Sequence, residues 1–188
     1  MAGRIQFIVR LFIQSAQLLA RWIWLRFVSL GQSARNTDPL LLIYSQCAWQ
    51  GVWQRPHELA VGMARRGHRV LYVAPMQVHE RIGRFPGSKD FYQPPEHPNL
   101  TIFSPLIFSG EYRWSWIFRL NKKLIAAELR RVLADESSVR LFANTPLVEP
   151  LIESITHRWF VYDVMDDYSA FDWAPDGSQA MEERLLKR

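Results

Sequence analysis

Only one cysteine, Cys47, occurs in the 188 residues, so no internal disulfide can form and a disulfide-framework fold is excluded. A reducing compartment fits that usage. The chain also lacks the fingerprint G-x-G-x-x-G. The loop after its first strand-like run holds only Gly51, which argues against a dinucleotide pyrophosphate site there. No uncharged apolar stretch reaches the roughly 20 residues that a simple membrane span wants. There is no D-x-D pair of the metal-dependent sugar transferases, the histidines are scattered, and no internal repeat or low-complexity segment appears.

Acidic residues are missing from the first 37 positions. Arg4, Arg10, Arg21, Arg26 and Arg35 all precede Asp38 and carry the whole net charge of +5, because without them 18 basic side chains face 18 acidic ones. The remainder is neutral, which disfavours a broadly basic nucleic-acid-binding domain. Residues 4–30 are rich in Ile, Phe, Leu, Val and Trp, with Arg10, Gln14, Gln17 and Arg21 at spacings of 4, 3 and 4 on one narrow polar stripe. Such a helix suits a membrane interface, with arginines toward anionic head groups and Trp22, Trp24 and Phe27 in the acyl boundary. Packing against another domain or subunit is the alternative. A cleaved signal peptide fits poorly, because charge interrupts the apolar region.

What is present is a regular alternation of strands and helices. Gly31 to Pro39 is a polar linker, giving residues 1–38 as helix and linker and 39–188 as the globular domain. Leu40 to Tyr44 is a short apolar run of the kind buried on both faces of a sheet. A helix opening at Pro56 presents Leu59, Ala60, Met63 and Ala64 on one face and ends at Gly67, suited to a left-handed cap. Arg69 to Ala74 is the second strand. The β–α–β unit that results implies a parallel sheet. Residues 75–99, with Pro86, Pro94, Pro95 and Pro98, read as a long surface excursion. Leu100 to Phe103 is a third strand. Trp114 to Leu133 follows as a helix with Ile117, Leu120, Leu124, Ile125, Leu129 and Val132 inward and Arg119, Lys122, Lys123 and Arg130 on a solvated face. Val139 to Ala143, a short helix from Leu147 to Ile155, a fifth strand from Trp159 to Val164 and a charged helix from Met181 complete the chain. The fold class is α/β: a Rossmann-like doubly wound parallel sheet with an N-terminal amphipathic helix.

Polar signals collect after strands, where such sheets bind ligands. Trp49 and Trp53 suit stacking on sugar rings or packing on lipid or core, and Arg55 suits a phosphate. His57, in the first turn of a helix, is kept from protonation by the positive end of the helix dipole; a neutral base and a capping role both fit. Asn144 with Thr145, and Asp163, Asp166 and Asp167, follow later strands. The three aspartates suit Mg²⁺ or Mn²⁺ by chemistry, or strand-end solvation and helix capping. Cys47 has no partner pattern for a nucleophile.

Four pieces taken together carry a resemblance: Trp53 to Ala60 (W-x-R-P-x-x-L-A), Arg66 to Val73, Asn144-Thr145-Pro146, and Val161 to Phe171 (with Y-D-x-M-D-[DE]-x-S-A-F). Residues 40–188 resemble the N-terminal half of bacterial glycosyltransferases of the GT-B fold, most closely the group of teichuronic acid and exopolysaccharide glycosyltransferases. The resemblance implies an acceptor-binding domain. A second domain, absent here, would bind the nucleotide-sugar donor, so the chain reads as a fragment or truncated product. Gly51, Trp53, Arg55 and Asn144 would bind substrate, and Asp166, Asp167 and His57 would act at the reaction centre. No tightly bound cofactor or metal is implied, the nucleotide sugar being a co-substrate. The acceptor would be a glycan or lipid-linked glycan, reached from the cytoplasmic face of the plasma membrane through residues 4–30, with no nucleic-acid partner. A non-catalytic domain that binds membrane or a partner transferase is the alternative, and a metal-dependent transferase using the aspartates a further one.

Overall fold

A computed structural model describes Ala16 and residues 38–84 and 90–188. The N-terminal helix read over residues 4–30 lies outside the described residues, apart from Ala16. Among the described residues no helix is long and apolar enough to cross a membrane.

The core is a six-stranded sheet built on β1 (Leu40–Tyr44), every residue of which is buried. β1 pairs in parallel with β2 (Val70–Val73) on one side and β7 (Val139–Ala143) on the other. β2 pairs with β5 (Leu100–Phe103) and β7 with β8 (Trp159–Tyr162), both in parallel. Only β4 (Phe91–Tyr92), on the outer side of β5, is antiparallel. Counted among the parallel strands alone, the order is third, second, first, fourth, fifth, consistent with a Rossmann-like sheet. The order reverses between β1 and β7, and the loops leaving those two carboxyl ends diverge there.

Alternation along β1 divides the core. Leu40, Leu42 and Tyr44 face one cluster with Ile125, Leu129, Val148 and Leu151, while Leu41 and Ile43 face Ala60, Val61 and Ala64 of helix α1 (Arg55–Arg65). Gly67 has φ of +87°, the left-handed conformation expected of it just beyond that helix. The first cluster is covered by α3 (Ser115–Val132) and by the segment Pro146–Ser154. That segment, read as a short helix, is a 3₁₀ helix. Pro150 inside it has no N–H to give to an α-helical ladder. The last helix, α4 (Ser178–Leu186), packs against it. β8 keeps Trp159 and Val161 exposed on its uncovered face.

Two expectations are corrected. Residues 75–99 are not one surface excursion. β3 (Met76–Gln77) forms a two-stranded parallel ribbon with β6 (Leu106–Ile107), a short helix α2 (Val78–Gly83) follows it, and β4 joins the main sheet. Met76 and Val78 are buried, so this region helps to close the core. On α3, the inward face is rotated from the one expected: Leu120 is exposed, whereas Asn121, Lys122 and Glu128 are buried. Lysine placed at a polar position still buries its stem when a partner receives its head.

Asn121 explains part of that rotation. Its amide accepts from Phe108 N (2.9 Å), and donates to Phe108 O (3.0 Å) and to Glu111 Oε2 (3.0 Å), holding the 108–111 loop onto α3. Replacing it with Ala leaves buried backbone groups and a carboxylate without these partners. The expected result for Asn121→Ala is a loss of about 2–4 kcal/mol, measured by denaturant unfolding with an unchanged m-value.

Candidate functional site

The loop after β1 has no secondary structure to satisfy its backbone, so side chains do so. Ser45 Oγ accepts from Cys47 N (3.0 Å), Tyr72 Oη donates to Cys47 O (2.7 Å), and Tyr168 Oη donates to Gln46 Oε1 (3.1 Å). Ala48 O accepts from Gly51 N at 2.8 Å, closing a tight turn. A Cβ on Gly51 would stand 3.0 Å from that same oxygen, which explains glycine at this position. His57, at the third position of α1, accepts from Gln54 N through Nδ1 (3.0 Å) and reaches Ala48 O with Nε2 (3.2 Å). That arrangement requires the proton on Nε2, since a carbonyl only accepts. The reach back to the cap residue's N–H is the one Glu or Gln makes in a capping box.

His57 is fully buried and stacked between Trp53 and Tyr72, at ring separations of 4.8 and 5.3 Å. Burial lowers its pKa, opposed by its hydrogen bond to Ala48 O and by Glu58. Of the two roles the sequence allowed, this geometry is that of the cap. Both ring nitrogens are engaged inside the loop, which leaves none for proton transfer in the cleft. Trp53 is half-exposed, donates from Nε1 to Glu58 Oε1 (2.5 Å) and packs edge-on to Trp49. Arg55 Nε pairs with Asp163 Oδ2 at 3.2 Å, tying the start of α1 to the end of β8.

An open cleft of about 700 Å³ lies at the carboxyl ends of β1, β7 and β8. Among the residues marked out by sequence, Gly51, Asn144 and Asp166 line it; Trp53, Arg55, His57 and Asp167 do not. Asp163, Asp166 and Asp167 do not converge: the first pairs with Arg55, the second borders the cleft and the third is exposed. Among the described residues no group of three His, Cys, Asp or Glu side chains is placed to hold a metal ion. Asn144 is buried, its Nδ2 lies 3.5 Å from Met165 Sδ, and its Oδ1 has no partner among the described residues. Cys47 also lines the cleft. Burial raises its thiol pKa, Asp166 adds to that, and hydrogen bonds with Ser45 and Asn144 oppose it; a thiol held protonated is a weak nucleophile.

The sequence reading did not reach the far wall. Tyr112, Phe171 and Trp173 line it with Tyr168. Phe171 and Trp173 stack at 5.0 Å with an interplanar angle of 23°, and Tyr112 and Tyr168 meet Trp173 edge-on at 5.6 and 5.8 Å. Burial pushes the Tyr168 hydroxyl up to about 12, so it stays a hydrogen-bond donor at neutral pH. The signal available in advance was the density of aromatics over residues 168–173. Glu80 and Arg84, from the region read as an excursion, complete the rim.

Below the cleft, burial lowers Lys122 to about 8 against the opposing pull of Glu111. These shifts fix the pH dependence of stability. Unfolded His57 takes up a proton near pH 6.5 and the folded form resists, so stability falls as pH drops below about 6.5. Unfolded Lys122 holds its proton to about pH 10.4 and the folded form releases it near 8. Stability therefore rises as the pH climbs from about 8 toward about 10.4. Urea midpoints across pH 5–9.5 are expected to show both limbs. His57→Gln should flatten the acid one and Lys122→Met the alkaline one.

No protein-family model, curated protein or solved structure matches the chain.

Proposed function

We propose that this domain is the acceptor-binding half of a GT-B glycosyltransferase, in which a sugar passes from a nucleotide-sugar donor to a glycan, lipid-linked at the membrane, in cell-surface polysaccharide synthesis. The observation that carries the reading is the cluster of Tyr112, Phe171 and Trp173 lining an open cleft together with polar side chains. Sugar rings have apolar faces that stack on aromatics and equatorial hydroxyls that need donors and acceptors at the edge. Gln46, Gln54, Asn144 and Asp166 line the same cleft and supply those. Oδ1 of Asn144, without a partner among the described residues, is an acceptor held in place for a ligand hydroxyl. Asp166, beside the cleft, is the group to receive the proton of an attacking hydroxyl.

The sequence pieces Trp53 to Ala60 and Val161 to Phe171 support the same reading. In this fold they build the two ends of one linkage: Arg55 with Asp163. That pair holds the β1 loop and the β8 loop in fixed relation, so Trp53, Arg55 and His57 shape the site from behind. Residues 4–30, cationic and aromatic, would bring the domain to an anionic cytoplasmic leaflet, where a lipid-linked acceptor resides.

Titration of the full chain with β-linked hexose and N-acetylhexosamine oligosaccharides, followed by ligand-detected NMR, tests the proposal. Saturable binding is expected, weakened about tenfold by Trp173→Ala, as loss of one stacking contact implies. Trp159→Ala on the uncovered face of β8 should leave it unchanged. Absence of binding to any oligosaccharide, or equal effects of the two variants, refutes the glycan reading and leaves a non-carbohydrate binding domain.

A further inference from the structure

A second cavity, of about 60 Å³, adjoins the wide cleft and shares Gln46, Ala48, Glu80 and Tyr112 with it. Lys122 and Glu111 line it with Tyr44, Gln77, Pro75 and Ile107. We propose that this cavity is the subsite for the N-acyl group of an amino sugar in the acceptor. The inference rests on the glycan reading and deepens it by naming a substituent.

Size comes first. Where roughly 10–15 Å³ admits one water, this cavity admits a few heavy atoms but no sugar ring. Charge comes second. Lys122 and Glu111 are 5% and 3% exposed and oppose one another, and Glu80 adds a further carboxylate, so a phosphate or uronate entering here meets more negative charge than positive. A neutral group is favoured.

Hydrogen bonding comes third. The Lys122 ammonium has three N–H donors, and among the described residues it gives one, to Tyr44 Oη at 3.2 Å; its flanks are covered by the Phe118 ring at 4.9 Å and the Tyr44 ring at 5.7 Å. A buried donor left without an acceptor is costly, so the remaining N–H groups call for an oxygen from the cavity. Glu111 Oε2 already receives Asn121, yet an ionised carboxylate has about four acceptor positions and can take a further N–H. Ile107, Pro75 and Ala48 add an apolar surface. An acetamido group brings a carbonyl oxygen for Lys122, an N–H for Glu111 and a methyl for that surface. A hydroxyl in the same place can also accept and donate, but it leaves most of the volume and the apolar surface unfilled.

The test compares di-N-acetylchitobiose with cellobiose, which differ only in having acetamido groups in place of two hydroxyls, by ligand-detected NMR titration of the full chain. Chitobiose is expected to bind at least about tenfold more tightly, the effect of one charge-assisted hydrogen bond. Lys122→Met should abolish the preference, so that chitobiose binds no more tightly than cellobiose. The isosteric Glu111→Gln, which keeps the loop's shape, should lose part of the preference, and far-UV dichroism confirms that each variant is folded. Equal wild-type affinities, or a preference that survives both substitutions, overturns the subsite while leaving the glycan reading intact. Failure of both disaccharides to bind, where longer oligosaccharides also fail, overturns the two together.

Discussion

The loop between β1 and α1 leaves the middle of the sheet and has to bury polar backbone without a ladder to bond it. His57 makes that possible. One imidazole takes the N–H of Gln54 and gives its own proton to the carbonyl of Ala48, so a single ring satisfies both flanks of the loop. It can do so only as the neutral Nε2–H tautomer, which burial between two aromatic rings favours. The position of Gly51, Cys47 and Gln46 at the cleft follows from that anchoring, as does the angle at which α1 begins.

Around this anchor the cleft is assembled from elements far apart in the chain. β7 brings Asn144, β8 brings Asp166, the segment before α3 brings Tyr112, and the turn after Tyr168 brings Phe171 and Trp173. Parallel strands deliver their carboxyl ends to one edge, and the reversal of order between β1 and β7 opens the space there. The rear of the site is held by Arg55 with Asp163, and the floor by Asn121 and Lys122 on α3. Polar residues that look like surface in a helical projection thus support the cleft from below.

The local sequence was legible wherever burial is symmetrical. β1 and β2 are short apolar runs buried on both faces of the sheet, and β5 departs from that only at Thr101, whereas in β7 Arg140 and Phe142 are half-buried. Gly67 and Pro56 marked the two ends of α1 for reasons of backbone geometry alone. The clustering of polar residues after strands was legible for the same topological reason. Of the residues it singled out, Gly51, Asn144 and Asp166 are brought to the cleft, whereas Trp53, Arg55 and His57 act behind it.

What the sequence by itself determined was the alternation of elements, the parallel core and the sheet edge at which the polar loops gather, because each depends on local apolar runs and on the handedness of crossovers. Only the tertiary structure decided which polar groups face the cleft and which hold it up. A histidine that caps and a histidine that catalyses have the same letter and the same place at a helix start. A lysine in solvent and a lysine buried against Tyr44 and Glu111 occupy the same position in a helical repeat. The difference lies in the partners that folding brings within hydrogen-bonding distance, and those come from strands and loops up to 122 residues away.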